Sequence, residues 1–157
     1  MYSVGEEVLD VCSGEVLTGE SGVIQSPNFP DNYPKGLWRT GSSSCSLSLT
    51  GLSDALVKLT FETFELEESA GCINDFFLYG NAKSDSGSSR LCGNMTGETR
   101  VLRVDASGQL DLFFNTNGNI SMTGFQINYQ GEHPLFKLWR YVALLDCGSL
   151  SAILLSL

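Results

Sequence analysis

Residues 64–79, FELEESAGCINDFFLY, join two segments that alternate like β-strands and place acidic side chains on both sides of one cysteine. Glu67 lies five residues before Cys72 and Asp75 lies three residues after it, so their carboxylates meet only if the backbone reverses between them. The small residues SAG at 69–71 permit such a turn. The stretch therefore predicts a strand–turn–strand unit that brings Glu67 and Asp75 to one edge of a β-fold.

Two converging carboxylates form a site with a specific electrostatic demand. They repel, and each raises the pKa of the other unless a cation lies between them. Hard oxygen ligands of this kind suit calcium. The alternative interpretation is that Glu67 and Asp75 are solvated loop acids that only keep the protein soluble, and the local residues leave both interpretations open.

Composition limits the classes of protein to consider. With 157 residues, the chain is long enough for one ordinary domain and a tail. The formal net charge of -9, from 18 acids and 9 bases, argues against a nucleic-acid surface, which needs clustered Lys and Arg. A cation or a basic protein partner is the more natural counterpart. Seventeen glycines and many serines indicate loops and short strands rather than helices.

The cysteines predict disulfides. The chain has five cysteines, no CxxC motif and one histidine, which argues against a zinc site and for an oxidising compartment. Four of them, Cys12, Cys45, Cys72 and Cys92, allow three pairings, of which 12 with 45 and 72 with 92 close the shortest independent loops. Cys147 is then a free thiol, an intermolecular link or a residue outside the native domain.

The clearest strand signal covers residues 56–64. Its alternating hydrophobic positions are Val57, Leu59 and Phe61. Phe64 breaks this alternation, and because a period of two cannot change parity without an irregularity, we predict a β-bulge near Glu62 and Thr63.

Shorter strand patterns recur along the chain, with turn-rich loops between them and no convincing amphipathic helix. They lie at residues 16–17, 23–24, 47–49, 76–79, 101–104, 110–114 and 125–129. SPNFPDNYP at 26–34 must be an extended loop, since proline fixes its own backbone and restricts its predecessor. This organisation predicts an all-β fold, an antiparallel β-sandwich stapled by disulfides.

We expect three segments: a lead-in at 1–11, a domain at 12–131 and a tail at 132–157. The tail is apolar, but its uncharged runs are too short for a membrane span. It is an extra helix, a remnant of an anchor signal or translated non-coding sequence. The N-terminus lacks a basic segment followed by an apolar core, so we expect a fragment of a larger secreted protein.

Taken together, these motifs resemble the CUB domain, a β-sandwich module of extracellular proteins. In the order of the family they are Cys12, GVIQSPNFPDNYP at 22–34, Cys45, LTFETFELE at 59–67, CINDFFLYG at 72–80, LCG at 91–93 and GFQINY at 124–129. The resemblance covers residues 12 to about 131. It implies a jelly-roll sandwich and the pairings of Cys12 with Cys45 and of Cys72 with Cys92.

The resemblance also implies a calcium site. In calcium-binding CUB domains the ion is held by a glutamate and an aspartate around the third cysteine and by a later aspartate, with support from a tyrosine. The matching residues are Glu67, Asp75 and Tyr33, whereas the third acid is replaced by Asn117 in the segment FNTN. Asparagine keeps a carbonyl oxygen but loses a full charge, and the charge of the ligands controls calcium affinity. We therefore expect a weakened calcium site.

The resemblance makes the chain a non-catalytic extracellular recognition module. Its partner would be an extracellular protein whose basic residue is engaged by Glu67, Asp75 and Tyr33. An alternative is an ion-independent module that binds carbohydrate or itself, as in sperm adhesins, and a third possibility is a structural spacer. Catalysis finds little support, because the one histidine lies in the apolar tail and no apolar pocket is evident to raise the pKa of one of the two carboxyl groups.

Two tripeptides match the acceptor pattern for N-linked glycans. They begin at Asn94, in Asn-Met-Thr, and at Asn119, in Asn-Ile-Ser. Both fit surface loops of a secreted protein, and a glycan on Asn119 would lie close to Asn117.

Overall fold

A computed structural model describes residues 7–37, 45–80 and 89–132 of the chain. Within these residues the structure consists of ten strands and one short 3-10 turn, Ala70–Cys72. The strands are β1 (Val8–Asp10), β2 (Val16–Thr18), β3 (Ser21–Gln25), β4 (Cys45–Thr50), β5 (Leu56–Glu65), β6 (Phe76–Gly80), β7 (Ser89–Leu91), β8 (Thr99–Arg103), β9 (Leu110–Asn115) and β10 (Gly124–Glu132). In these residues no helix is long and apolar enough to cross a membrane.

The strands form two five-stranded sheets. Sheet A has the order β1-β3-β10-β5-β8 and sheet B the order β2-β4-β9-β6-β7. The predicted β-sandwich is confirmed, and its central pairings are antiparallel. One edge of each sheet is parallel, β1 with β3 and β2 with β4. Alternation along a strand indicates which face is buried but not the direction of the neighbouring strand. The two parallel pairs were therefore not predictable from the sequence.

Aromatic side chains fill the space between the sheets. Phe125 on β10 lies at the centre, with its ring centroid 5.0 Å from that of Phe77 and 5.1 Å from that of Phe114. Phe64 is fully buried, and its ring packs on Phe61 at a centroid separation of 5.2 Å. Edge-to-face packing of this kind adds to the free energy gained by burying the rings.

The predicted bulge lies at Glu62. Across the β5–β10 pair, Gln126 is the partner of Thr63 and Ile127 is the partner of Phe61, so Glu62 is left out of register. The extra residue changes the parity of the strand and returns Phe64 to the buried face.

Residues before the expected start of the domain at Cys12 pack against the sheet. β1 pairs with β3, and two residues of the expected lead-in are buried, Leu9 with 6% and Val11 with 0% of its surface exposed. Residues 8–11 therefore pack as part of the sandwich. At the other end β10 continues to Glu132. The tail from 133 onward, including Cys147, lies outside the described residues.

Two disulfides cross-link the sandwich. They join Cys12 to Cys45 and Cys72 to Cys92, the pairings that the loop lengths favoured. The second closes a loop with a sequence separation of 20 residues and fixes the turn that follows β5. In the loop-closure model each bond stabilises the fold by roughly 3 to 4 kcal/mol.

Candidate functional site

The turn between β5 and β6 reverses the chain at the 3-10 turn. Gly71 and Cys72 both have positive φ, 67° and 49°, and the Cys72 N–H donates to the Ser69 carbonyl at 2.9 Å. The hydroxyl of Ser69 then accepts from the Asn74 N–H at 3.2 Å. The disulfide to Cys92 ties this turn to the loop after β7. The predicted turn is confirmed, and across it the Asn74 side chain reaches Glu67.

Tyr33 links the two acidic segments. Its hydroxyl donates to Asp75 Oδ2 at 2.6 Å and accepts from the Glu67 N–H at 3.2 Å. The ring is only 2% exposed and packs edge-on against Phe114, with centroids 5.2 Å apart. The resemblance implies that Tyr33 contacts the partner, whereas the structure buries its side chain. Its ring therefore cannot supply a large contact area for a partner, and its hydroxyl supports Asp75 instead.

Asn117 meets this network through its backbone. Its N–H donates to Asp75 Oδ1 at 2.7 Å, and its carbonyl oxygen accepts from the Gly36 N–H at 2.6 Å. Its side-chain oxygen accepts from the Asn119 N–H at 2.9 Å, which is a local Asx-type turn. The residue that replaces the third acid is therefore beside Asp75, but its side-chain oxygen already accepts a hydrogen bond within its own loop.

The environment of Asp75 opposes its charge. Asp75 is fully buried, and this burial raises the pKa of its carboxyl group above the ordinary value. Hydrogen bonds from Tyr33 and Asn117 lower that pKa, and the charge of Glu67 raises it. Burial and the hydrogen bond to Asp75 likewise raise the pKa of the Tyr33 hydroxyl, so it remains a proton donor. Among the residues that the structure describes, the Asp75 carboxylate thus has two hydrogen-bond donors and no ion-pair partner.

Glu67 has an incomplete hydrogen-bond set. It is 9% exposed, and its Oε1 accepts from the Asn74 side-chain Nδ2 at 2.8 Å. Its Oε2 is buried and has no hydrogen-bond partner among the described residues. A buried carboxylate oxygen without a donor is costly, so a cation or a hydrogen-bond donor at this point would stabilise the site.

The residues present fit a calcium ion in the type of their atoms. Glu67 and Asp75 supply hard carboxylate oxygens, and Asn117 supplies carbonyl oxygens nearby. These ligands carry less negative charge than a site with three acids, because no group of three His, Cys, Asp or Glu side chains lies together in the described segments.

Exposed apolar side chains flank the acids. Ile73 is 71% exposed and precedes Asn74, which binds Glu67. Ile120 is 49% exposed and follows Asn119, which binds Asn117. Sequence reasoning missed Ile73, Asn74 and Ile120. The available signal was position, because these residues occupy the same two loops as the acid and its substitute.

The two glycosylation tripeptides lie in different settings. Asn94 is exposed, and its Oδ1 accepts from the Thr96 N–H at 3.0 Å. Its backbone forms an isolated antiparallel β-bridge with Glu65 at the end of β5. Asn119 is exposed in the loop of Asn117. The Ser121 hydroxyl of that tripeptide donates to the Tyr33 carbonyl. Only the second tripeptide is therefore part of the acidic site.

Two packed sheets, two disulfides and a buried acid pair at the loop end define a disulfide-bonded β-sandwich of the extracellular kind. The family model of the CUB domain matches residues 12–129, and the chain belongs to the CUB family. This confirms the family suggested by its motifs.

Known relatives agree with this assignment. Human cubilin is 32% identical over 121 residues, which are 77% of this chain and 3% of cubilin. The zebrafish adhesion G-protein coupled receptor G6 is 33% identical over 116 residues, 73% of this chain and 9% of the receptor. The chain thus spans less than a tenth of either relative.

Two solved structures are also similar. The full extracellular region of zebrafish Gpr126/Adgrg6 matches with a TM-score of 0.58 and 30% identity, covering 74% of this chain and 14% of that one. The MASP-1 CUB2 domain bound to Ca²⁺ matches with a TM-score of 0.56 and 26% identity, covering 76% and 99%. The chain is an extracellular or secreted module.

Proposed function

We propose that this chain is a non-catalytic recognition module that binds an extracellular protein through a weak calcium site. Glu67, Asp75 and Asn117 would hold the ion, and Tyr33 would orient Asp75. The observation that carries the proposal is the buried Glu67 Oε2, which has no partner among the described residues. The N–H of the same residue shares the Tyr33 hydroxyl with Asp75, a second buried carboxylate. A calcium ion would supply the missing positive charge.

The site is expected to bind calcium weakly. Two full charges face the ion where three acids are usual, and the Asn117 side-chain oxygen already accepts a hydrogen bond from the Asn119 N–H, which leaves one lone pair for an ion. Extracellular modules bind calcium at about 0.1 to 1 mM, and ligand charge tunes this range. We expect a dissociation constant at or above the upper end of that range.

The partner is expected to present a basic side chain with apolar neighbours. A Lys or Arg of the partner would be attracted to an acid of the site, and the formal net charge of -9 would steer it there. The exposed side chains of Ile73 and Ile120 would then cover apolar groups beside that basic residue. Contacts of this kind exclude water from a central charged pair.

Calorimetric titration with calcium tests the proposal. The wild type should bind with a heat signal at millimolar calcium and show a higher melting temperature in calcium than in chelator. Glu67→Gln keeps the shape of the side chain but removes its charge, so it should lose both effects. Glu15→Gln is the matched control, because Glu15 is exposed and remote in sequence from the site. Equal behaviour of the wild type and Glu67→Gln would overturn the calcium site.

A second candidate function, ion-independent binding of carbohydrate, is favoured by one observation on sheet A. Its outer face carries a pocket of about 320 Å³. The pocket is lined by Ser21, Lys58, Thr60, Asn128, Tyr129 and Gln130. Asn128 Oδ1 is buried there without a hydrogen-bond partner in the described residues, so a ligand hydroxyl can donate to it.

A glycan array in the presence of chelator separates the two candidates. Sugar binding that survives Glu67→Gln and is lost in Asn128→Ala would support the carbohydrate function. Absence of sugar binding by the wild type would remove it. Calcium-dependent capture of a basic protein that survives Asn128→Ala would support the first candidate.

A further inference from the structure

Asn74 occupies a position in the acidic site that the matched ligand pattern does not include. It lies between Cys72 and Asp75 in sequence, and the hydrogen bond of its N–H to Ser69 fixes its backbone. Its side-chain Nδ2 donates to Glu67 Oε1 at 2.8 Å. Because a carboxylate only accepts hydrogen bonds, the amide must face it with its NH₂ group.

We propose that the Asn74 amide competes with the calcium ion for Glu67. This inference rests on the proposed calcium site. The amide hydrogens bring partial positive charge to Oε1, whereas the other carboxylate oxygen, Oε2, has no donor among the described residues. An ion would therefore approach Glu67 through Oε2, and Asn74 stabilises the ion-free state at the expense of the ion-bound state.

A different role for Asn74 has the opposite consequence. If its hydrogen bond only oriented Glu67, then its removal would loosen the carboxylate and weaken calcium binding. If Asn74 competes, then Asn74→Ala exposes both oxygens of a nine-tenths buried carboxylate to the ion and removes a donor from the ion-free state. The two roles therefore predict opposite shifts of calcium affinity.

The test is a calcium titration of wild type, Asn74→Ala and Asn74→Asp, each with its melting temperature in chelator. For Asn74→Ala we expect a lower ion-free melting temperature and calcium binding that is about threefold to tenfold tighter, the equivalent of one hydrogen bond. For Asn74→Asp we expect a still lower ion-free melting temperature and roughly tenfold or more tighter binding, since a third carboxylate faces the ion.

Gln109→Ala is the matched control. Gln109 also donates its side-chain amide, Nε2, to a carboxylate, Asp111 Oδ1 at 2.8 Å, but Asp111 belongs to neither candidate site. Its removal should leave calcium affinity unchanged.

Three results decide the inference. Tighter binding by both Asn74 variants supports it. Weaker or equal binding by Asn74→Ala, with binding by the wild type intact, overturns the competition and leaves the calcium site standing. Absence of calcium binding in the wild type and in both Asn74 variants overturns the proposed site itself, and the inference with it.

Discussion

Two buried side-chain oxygens in different regions lack a hydrogen-bond partner among the described residues. They are Glu67 Oε2, in the acidic site formed by the loops (the loop site), and Asn128 Oδ1, on sheet A (the strand site). The first belongs to a carboxylate, so a cation can satisfy it as well as a hydrogen-bond donor can. The second belongs to a neutral amide, so any hydroxyl or water can satisfy it. The comparison shows that the charge of the unsatisfied group, rather than the size of a pocket, points to the kind of ligand.

The two regions also differ in how they are built. Asn128 stands on a central strand, where the sheet alone sets its position. Glu67 lies beyond the end of β5, and its site combines three loops held by Tyr33, Asn117 and the Cys72–Cys92 bond. The strand site should therefore tolerate changes that the loop site does not.

The largest expected difference comes from removing the disulfides one at a time. Replacing Cys72 and Cys92 by serine should lower the free energy of unfolding by about 3 kcal/mol and abolish calcium binding, because the turn is no longer fixed. Replacing Cys12 and Cys45 should cost about 4 kcal/mol for its longer loop, with calcium affinity retained. Urea unfolding and calcium titration measure both effects. Loss of calcium binding in both variants, or in neither, would contradict the assigned role of the turn.

A smaller effect is expected from removing one hydroxyl. Tyr33→Phe leaves Asp75 Oδ2 and the Glu67 N–H without their shared partner, which should destabilise the ion-free protein by about 1 to 3 kcal/mol. Calcium binding should weaken as well. Tyr129→Phe, in the pocket of sheet A, is the comparison variant and should leave calcium binding unchanged. Unfolding of Tyr33→Phe at the same urea concentration as the wild type would contradict the role of the Tyr33 hydroxyl in linking Asp75 and Glu67.

Restoring an acid should sharpen the contrast between the regions. Asn117→Asp places a carboxylate beside Asp75 and should tighten calcium binding by roughly tenfold. The same exchange at Asn128 adds a carboxylate to the outer face of sheet A and should leave calcium affinity unchanged. Calorimetry compares the two variants directly, and an equal gain in both would mean that net charge alone sets the affinity.

The smallest effect is expected from the glycans. We predict that Asn94 and Asn119 both carry N-linked glycans when the chain is secreted from a eukaryotic cell. Intact mass before and after enzymatic deglycosylation should change by two glycans in the wild type and by one in Asn119→Gln. Stability should change by less than about 0.5 kcal/mol, since both residues are exposed. No mass change would remove both assignments.

The sandwich was largely predictable because its signals are local. The inward positions of β10, Phe125, Ile127 and Tyr129, alternate cleanly in sequence, and they are 0%, 0% and 4% exposed. The bulge at Glu62 followed from a change of parity. β1 was missed, because three residues with one buried side chain carry no periodic pattern.

The site was predictable only in part. The spacing around Cys72 indicated that Glu67 and Asp75 converge, and the resemblance added Tyr33 and Asn117. The burial of Tyr33 and the bond from Asn74 depend on how three loops pack together. Such contacts are long-range or depend on individual backbone angles, and neither leaves a period in the sequence.

The most direct test of the central claim is a crystal structure of the chain grown in about 10 mM calcium, above the weak affinity expected for such modules. We expect an ion about 2.3 to 2.6 Å from Glu67 Oε2 and from an oxygen of Asp75. Density for a water or a side-chain donor at Glu67 Oε2, with no ion in the loop site, would contradict it.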